Sequence, residues 1–240
     1  MMDIPASDPR AVTVVTAIRN GEISKLQSLL DADPKLATAR NVDERAVGRT
    51  LLHIVADWPG HYPEAARTAE LLARHGADVN AWVQHPDVEQ CRETPLHWAA
   101  SNDDVALIDA LLDAGAGIEA PGAIFTGGAP MSDAVVFAQW NAARRLLERG
   151  AKTTFWQSAA LGLLDDVRKH FGGESAPSGE EITGAFWNAC RGGQRDVAEF
   201  LLAHGADRNW LGYDDKTPLA VALESGNGEL VDWLRDHGAK

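Results

Sequence analysis

Four stretches of this chain share one ruler. Thr94 to Gly115, Ala129 to Gly150, Gly184 to Gly205 and Thr217 to Gly238 each span an offset of 21 residues. Each opens on a version of T-P-L-H-x-A and closes on x-G-A. Self-similarity at a period of about 33 residues marks a repeat array. That constrains the fold strongly. A single unit cannot bury its own apolar face, so stability must come from stacking neighbours.

Seven units are predicted, at about residues 12–39, 50–80, 94–119, 129–152, 153–175, 183–209 and 217–240. Within them Leu and Ala recur at helical spacing, as at Leu107, Ile108, Leu111 and Leu112. A turn residue follows the first helix: Gly21, Asp103, Gly193 or Gly226. The closing glycine suits a left-handed helix cap. Thr before Pro in T-P-L-H suits an N-cap followed by the first helical turn. Each unit therefore reads as a helix–turn–helix hairpin followed by a loop.

T-P-L-H-W-A-A (Thr94–Ala100) and H-G-A-D-V-N (His75–Asn80) resemble the ankyrin repeat family. The resemblance covers about residues 11–240, firmest in the second, third, sixth and seventh units. It implies an all-α ankyrin-repeat solenoid of about seven repeats with extended finger loops. It also implies a binding module whose concave face and fingers hold a protein segment or ligand.

Three segments depart from the ruler. Trp58–Glu64 is inserted between the helices of the second unit, the 81–93 finger is long, and 172–181 reads as a mobile polar loop. Insertions in repeat arrays tend to lie on one face, often the binding face.

Composition excludes several classes. The formal net charge of -13 argues against nucleic acid and anionic membranes as partners, since both call for basic patches. No run of 18 apolar residues spans a membrane, and the polar start MMDIPASDPR does not read as a signal peptide. Cys91 and Cys190 form no metal-binding spacing and are expected to be reduced thiols in the cytoplasm. No phosphate loop, zinc-protease or nucleophile-elbow motif occurs. No cofactor is expected, and the chain is expected to be a monomer.

Histidines divide into two groups. The resemblance implies that His53 and His97 bond near the Thr of their own motif; His75, His204 and His237 sit at helix C-termini, where the dipole favours them. His61 and His85 lie in the two insertions, either as solvated loop residues or as a metal or acid–base pair.

The chain has eight Trp and only two Tyr. Trp140, Trp156, Trp187 and Trp233 read as packing residues, with Trp156 and Trp187 in the T-P-L-H histidine slot. Trp58, Trp82, Trp98 and Trp210 are predicted to line the concave face and fingers. The slot after that histidine holds Ile54, Trp98, Asp133, Gln157, Asn188 and Val221. Residues three and four further on share its helix face and add Asn102, Phe137 and Arg191. Apolar walls with a few converging polar groups describe a peptide or small-molecule site. The predicted site is thus Trp58, Trp82, His85, Trp98, Asn102, Asp133, Phe137, Gln157, Asn188, Arg191 and Trp210. A chance mixture on a solvated face is the plainer alternative. Asp133, if desolvated beside apolar groups, would have a raised pKa and could act as an acid or base in an enzyme or sensor.

Overall fold

Helix–turn–helix hairpins follow one another along a computed structural model that describes residues 2–88, 91–172 and 176–240. Fourteen α-helices are present among the described residues. They fall into two compact units, Met1–Ala151 and Lys152–Lys240.

The first unit holds four hairpins: α1 (Pro9–Arg19) with α2 (Ile23–Ala32), α3 (Leu51–Val55) with α4 (Ala65–Arg74), α5 (Pro95–Ser101) with α6 (Val105–Asp113), and α7 (Pro130–Val136) with α8 (Trp140–Glu148). First helices stack on first helices, as α3 on α5 and α5 on α7. Second helices do the same, as α4 on α6 and α6 on α8. The core between them is aliphatic, with Leu26, Leu30, Leu52, Leu72, Leu96, Leu107, Leu111 and Met131 fully buried. The second unit holds three hairpins: α9 (Phe155–Ala160) with α10 (Leu164–Phe171), α11 (Gly179–Arg191) with α12 (Arg195–Ala203), and α13 (Pro218–Ser225) with α14 (Gly228–Asp236). Its core centres on Phe186, Leu201, Leu230 and Leu234.

The local rules behind the hairpins are visible. Pro fills the first turn of α1, α5, α7 and α13, where no N–H is required. Gly115 closes the third repeat at φ +93, and a Cβ there would meet nothing within 4 Å, so the dihedral alone selects glycine. Asp103 and Ala138 hold left-handed turn positions at φ 58 and 55 without being glycine. The Asp103 carboxylate repays that strain by accepting from Ala142 N–H at 2.6 Å and Asn141 Nδ2 at 2.8 Å.

The T-P-L-H histidines are staples. At His53, Nδ1 accepts from the Thr50 N–H at 3.3 Å, and Nε2 donates to the Glu93 carbonyl at 3.1 Å in the next repeat. His97 repeats the pattern with Thr94 N–H at 3.1 Å and the Gly128 carbonyl at 3.3 Å. An amide can only donate and a carbonyl can only accept, so both rings are neutral with the proton on Nε2. In the second unit Trp187 occupies the slot, and its indole N–H reaches the Lys216 carbonyl at 2.9 Å, the equivalent point before the next repeat.

The structure corrects the sequence reading in three places. In the fifth repeat the helix starts one residue later than the ruler implies: Thr154 is its N-cap, and Gln157 takes the capping role expected of Trp156. The 172–181 segment is not loop throughout. Ser178 and Glu181 form a capping box that opens α11, while 173–175 lie outside the described residues. The fingers are not wholly irregular either. Three short strands, β1 (Asp3–Pro5), β2 (Arg40–Val42) and β3 (Gly48–Thr50), form a small sheet, β1 parallel and β3 antiparallel to β2. Gly48 then bridges to Gln84 in the next finger.

Trp187→Phe removes the donor to Lys216 and part of a buried ring system. A loss of about 2 kcal/mol or more is expected from urea melts, with no change in far-ultraviolet circular dichroism. An unchanged midpoint would show that the staple contributes nothing in the second unit.

Candidate functional site

In the first unit the sequence-predicted residues separate into a tie, a finger and a buried cluster. The tie is the second-repeat insertion. His61 Nε2 bonds the Asn102 carbonyl at 2.9 Å, and Asn102 Nδ2 donates to the Ala56 carbonyl at 2.8 Å. Asn102 thus joins the second and third repeats. Trp58 stands clear at 80% exposure. His85 takes the Asp87 N–H on Nδ1 at 3.2 Å, a contact within its own finger. His61 and His85 therefore have separate partners, and no cluster of three or more His, Cys, Asp or Glu able to hold a metal exists among the described residues. Trp82 is exposed on the same finger and lies under the Arg92 guanidinium, 5.1 Å from its ring centre.

The cluster forms where the finger returns to the third repeat. Val83 N–H bonds the Glu93 carbonyl at 2.8 Å, which seats Cys91 against Val47, Val83, Val88 and Trp98. Glu93 is buried there, and its side chain is well supplied. Trp98 Nε1 donates at 2.9 Å, Ile124 N–H at 3.1 Å, and the Cys91 thiol stands 3.7 Å away. Trp98 meets the His53 ring edge-on at 5.0 Å. Asp133, in the slot equivalent to Trp98 on α7, is 2% exposed, and both its carboxyl oxygens are buried without a hydrogen-bond partner. Burial, and then the nearby Glu93 carboxylate, push its pKa up to about 8, so it is protonated at neutral pH. Burial and the same carboxylate also push the Cys91 thiol up.

One turn along α7, Phe137 is 43% exposed and meets Phe125, itself 69% exposed, edge-on at 5.9 Å. Phe125 comes from the 121–128 loop, which also supplies the Ile124 N–H to Glu93. Neither Glu93 nor this loop was singled out in the sequence, because both belong to fingers that have no repeat consensus.

The second unit holds the remaining residues. Gln157 is buried as the helix cap, and Asn188 is buried with its amide donating to the Gly184 carbonyl at 2.9 Å. Arg191 lies over Trp187 at 5.7 Å, and burial lowers its pKa against the charges of Asp214 and Glu224. Trp210 meets Tyr213 edge-on at 5.9 Å.

The buried titratable groups set the dependence of stability on pH. His53 and His97 have pKa values lowered to about 4, chiefly by burial. Unfolding lets them bind protons below their ordinary value of about 6.5, so their stabilisation is complete above pH 6.5 and fades towards pH 4. Asp133 acts oppositely. Its folded state keeps a proton that the unfolded chain releases above about 4, so its contribution declines as pH rises to about 8. Two histidines outweigh one carboxyl below pH 6.5, and the carboxyl acts alone above it. Stability is expected to peak near pH 6.5 and to fall by up to about 1.4 kcal/mol per pH unit between 6.5 and 8. Asp133→Asn should abolish that alkaline decline in urea melts at pH 6.5 and 8.

Comparison with known proteins agrees with the repeat geometry. The ankyrin repeat family matches residues 47–82 and 91–120 as single repeats and 158–240 as three copies. The crystal structure of the human ASB11 ankyrin repeat domain is similar in fold, with a TM-score of 0.53 at 18% identity, covering 92% of this chain and 96% of that one. With stapled hairpins in each unit and family matches that together cover more than half of the chain, the chain belongs to the ankyrin repeat family.

Proposed function

We propose that this chain is a protein-binding module whose first unit holds a peptide segment of its partner across α5 and α7. Ankyrin repeats as a family are protein–protein interaction modules. The observation that carries the reading here is the Phe125–Phe137 pair. Two large aromatic side chains in contact, 69% and 43% exposed, are an apolar feature that water alone does not reward. Half-buried Trp98 and exposed Trp82 extend the aromatic character along the same repeats and finger, and such residues are favoured anchors in interfaces. The charge of -13 favours a partner without an excess of acid. A cytosolic setting fits Cys91 and Cys190, both buried and unpaired.

The enzyme reading of Asp133 has less support. Acid–base catalysis needs a reacting proton within hydrogen-bond reach, and among the described residues no donor or acceptor lies within reach of either Asp133 oxygen.

Selection of phage-displayed peptides tests the proposal. Peptides enriched on the wild type should bind the double variant Phe125→Ser, Phe137→Ser at least tenfold more weakly. Both sites are exposed, so melting should be little changed. Equal affinities for the two proteins would place the interface elsewhere.

A further inference from the structure

Glu93 and Asp133 divide their hydrogen bonds unequally. Two N–H groups donate to the Glu93 carboxylate, with a thiol close by, while Asp133 receives none although it is 2% exposed and close enough for Glu93 to act on it. Native proteins rarely leave a buried carboxyl wholly unsatisfied, because its desolvation is then uncompensated. The pair lacks a donor.

Among the described residues nothing supplies one. The neighbouring guanidinium, Arg92, lies over Trp82 instead. His97 spends Nδ1 on Thr94 and Nε2 on Gly128. The titratable groups that face Asp133 from the finger are Glu93, whose charge acts on it, and Cys91, on which both carboxyls act.

We propose that the Glu93–Asp133 pair receives the guanidinium of an arginine side chain on the bound peptide, with the Phe125–Phe137 pair beside it. This rests on the groove reading above and names the chemistry of the partner. A guanidinium offers five donors in a planar fork, matches carboxylates two bonds at a time, and stacks on aromatic rings. An ammonium is a strongly hydrated point charge and loses more on entering a dry site. The negative field of the chain draws either cation in.

The loop that donates to Glu93 is itself open to solvent: Ile124 and Phe125 are 46% and 69% exposed, and the loop is bounded by Gly122 on one side and Gly127–Gly128 on the other. Gly122 has φ +142, and a Cβ there would collide with the Arg92 carbonyl, so this end of the loop admits only glycine. Lifting the loop tip breaks the Ile124 N–H bond to Glu93, which the incoming guanidinium replaces. Binding also displaces the proton that burial and Glu93 hold on Asp133. Affinity should therefore rise with pH, by at most tenfold per unit, until about pH 8.

The test uses the full chain labelled at its indole nitrogens, with N-acetyl-arginine methylamide as probe and the lysine and citrulline analogues as controls. The arginine probe should move the Trp98 indole N–H resonance along a saturable curve whose Kd falls severalfold or more between pH 6 and 8. Asp133→Asn should weaken that binding at least tenfold and remove its pH dependence, while Phe125→Ser should weaken it several-fold without touching the carboxyls. Equal movement by neutral citrulline, by lysine, or by sodium or magnesium at matched ionic strength overturns the assignment. So does an unchanged Kd in Asp133→Asn. The selected phage peptides separate the two readings: peptides that need Phe125 and Phe137 but show no enriched arginine keep the groove and remove the guanidinium.

Discussion

A neutral ring nitrogen reaching from one repeat to the backbone carbonyl that opens the next is the interaction on which this array depends. His53 reaches Glu93, His97 reaches Gly128, and Trp187 reaches Lys216. Each bond does two things. It satisfies a carbonyl at the base of a finger, and it fixes how far one hairpin stands from the next. The imidazoles do this only when uncharged, because Nδ1 must accept from the Thr amide of its own helix while Nε2 donates. Trp187 shows what is essential. An indole has a single N–H and no acceptor, so it keeps the staple and gives up the cap. That helix is capped from Ser178 instead, and it is correspondingly longer.

The staples also explain why the candidate site lies where it does. The carbonyl that His53 holds belongs to Glu93, so the same bond that spaces the second and third repeats anchors the backbone beneath the acidic side chain. The finger then closes over Val47, Val83 and Cys91, and Trp98 fills the space between that small core and the His53 ring. Asp133 enters from α7 because α5 and α7 stack in register, which brings equivalent slots side by side. The acidic cluster thus comes from repeat geometry and finger geometry meeting.

This division sets how much the sequence could reveal. Asp133 was legible as a carboxyl beside apolar groups because counting from T-P-L-H fixes its helix face, and its raised pKa followed on the condition that those groups desolvate it. Phe137 followed one turn later by the same count. Glu93 was not legible. It precedes the consensus Thr, and its burial depends on pairing between fingers that carry strands of only three residues, too short for alternation to register. Ile124 and Phe125 escaped for the same reason. Gln157 was misread for a different one: Thr153 and Thr154 are adjacent, and either can cap a helix. The Ser178–Glu181 box was present as S-x-x-E, but the surrounding Gly, Ser and Pro read as loop.

Asp133 and the histidines are buried titratable groups, and burial is the first cause that holds each of them uncharged. In the imidazoles Nδ1 is also committed to accepting the Thr N–H of its own motif, so the neutral ring has both nitrogens satisfied. The carboxyl has no partner, and a carboxylate stands close by. The first arrangement is complete in itself and belongs to the architecture. The second is incomplete, and an incomplete buried group differs energetically from a complete one in a way that matters for recognition. A donor arriving at His53 or His97 finds nothing to bond, whereas a donor arriving at Asp133 gains a charge-assisted bond and removes a desolvation cost that the free protein carries. Differential stabilisation of that kind is what lets one position in a repeated scaffold become specific.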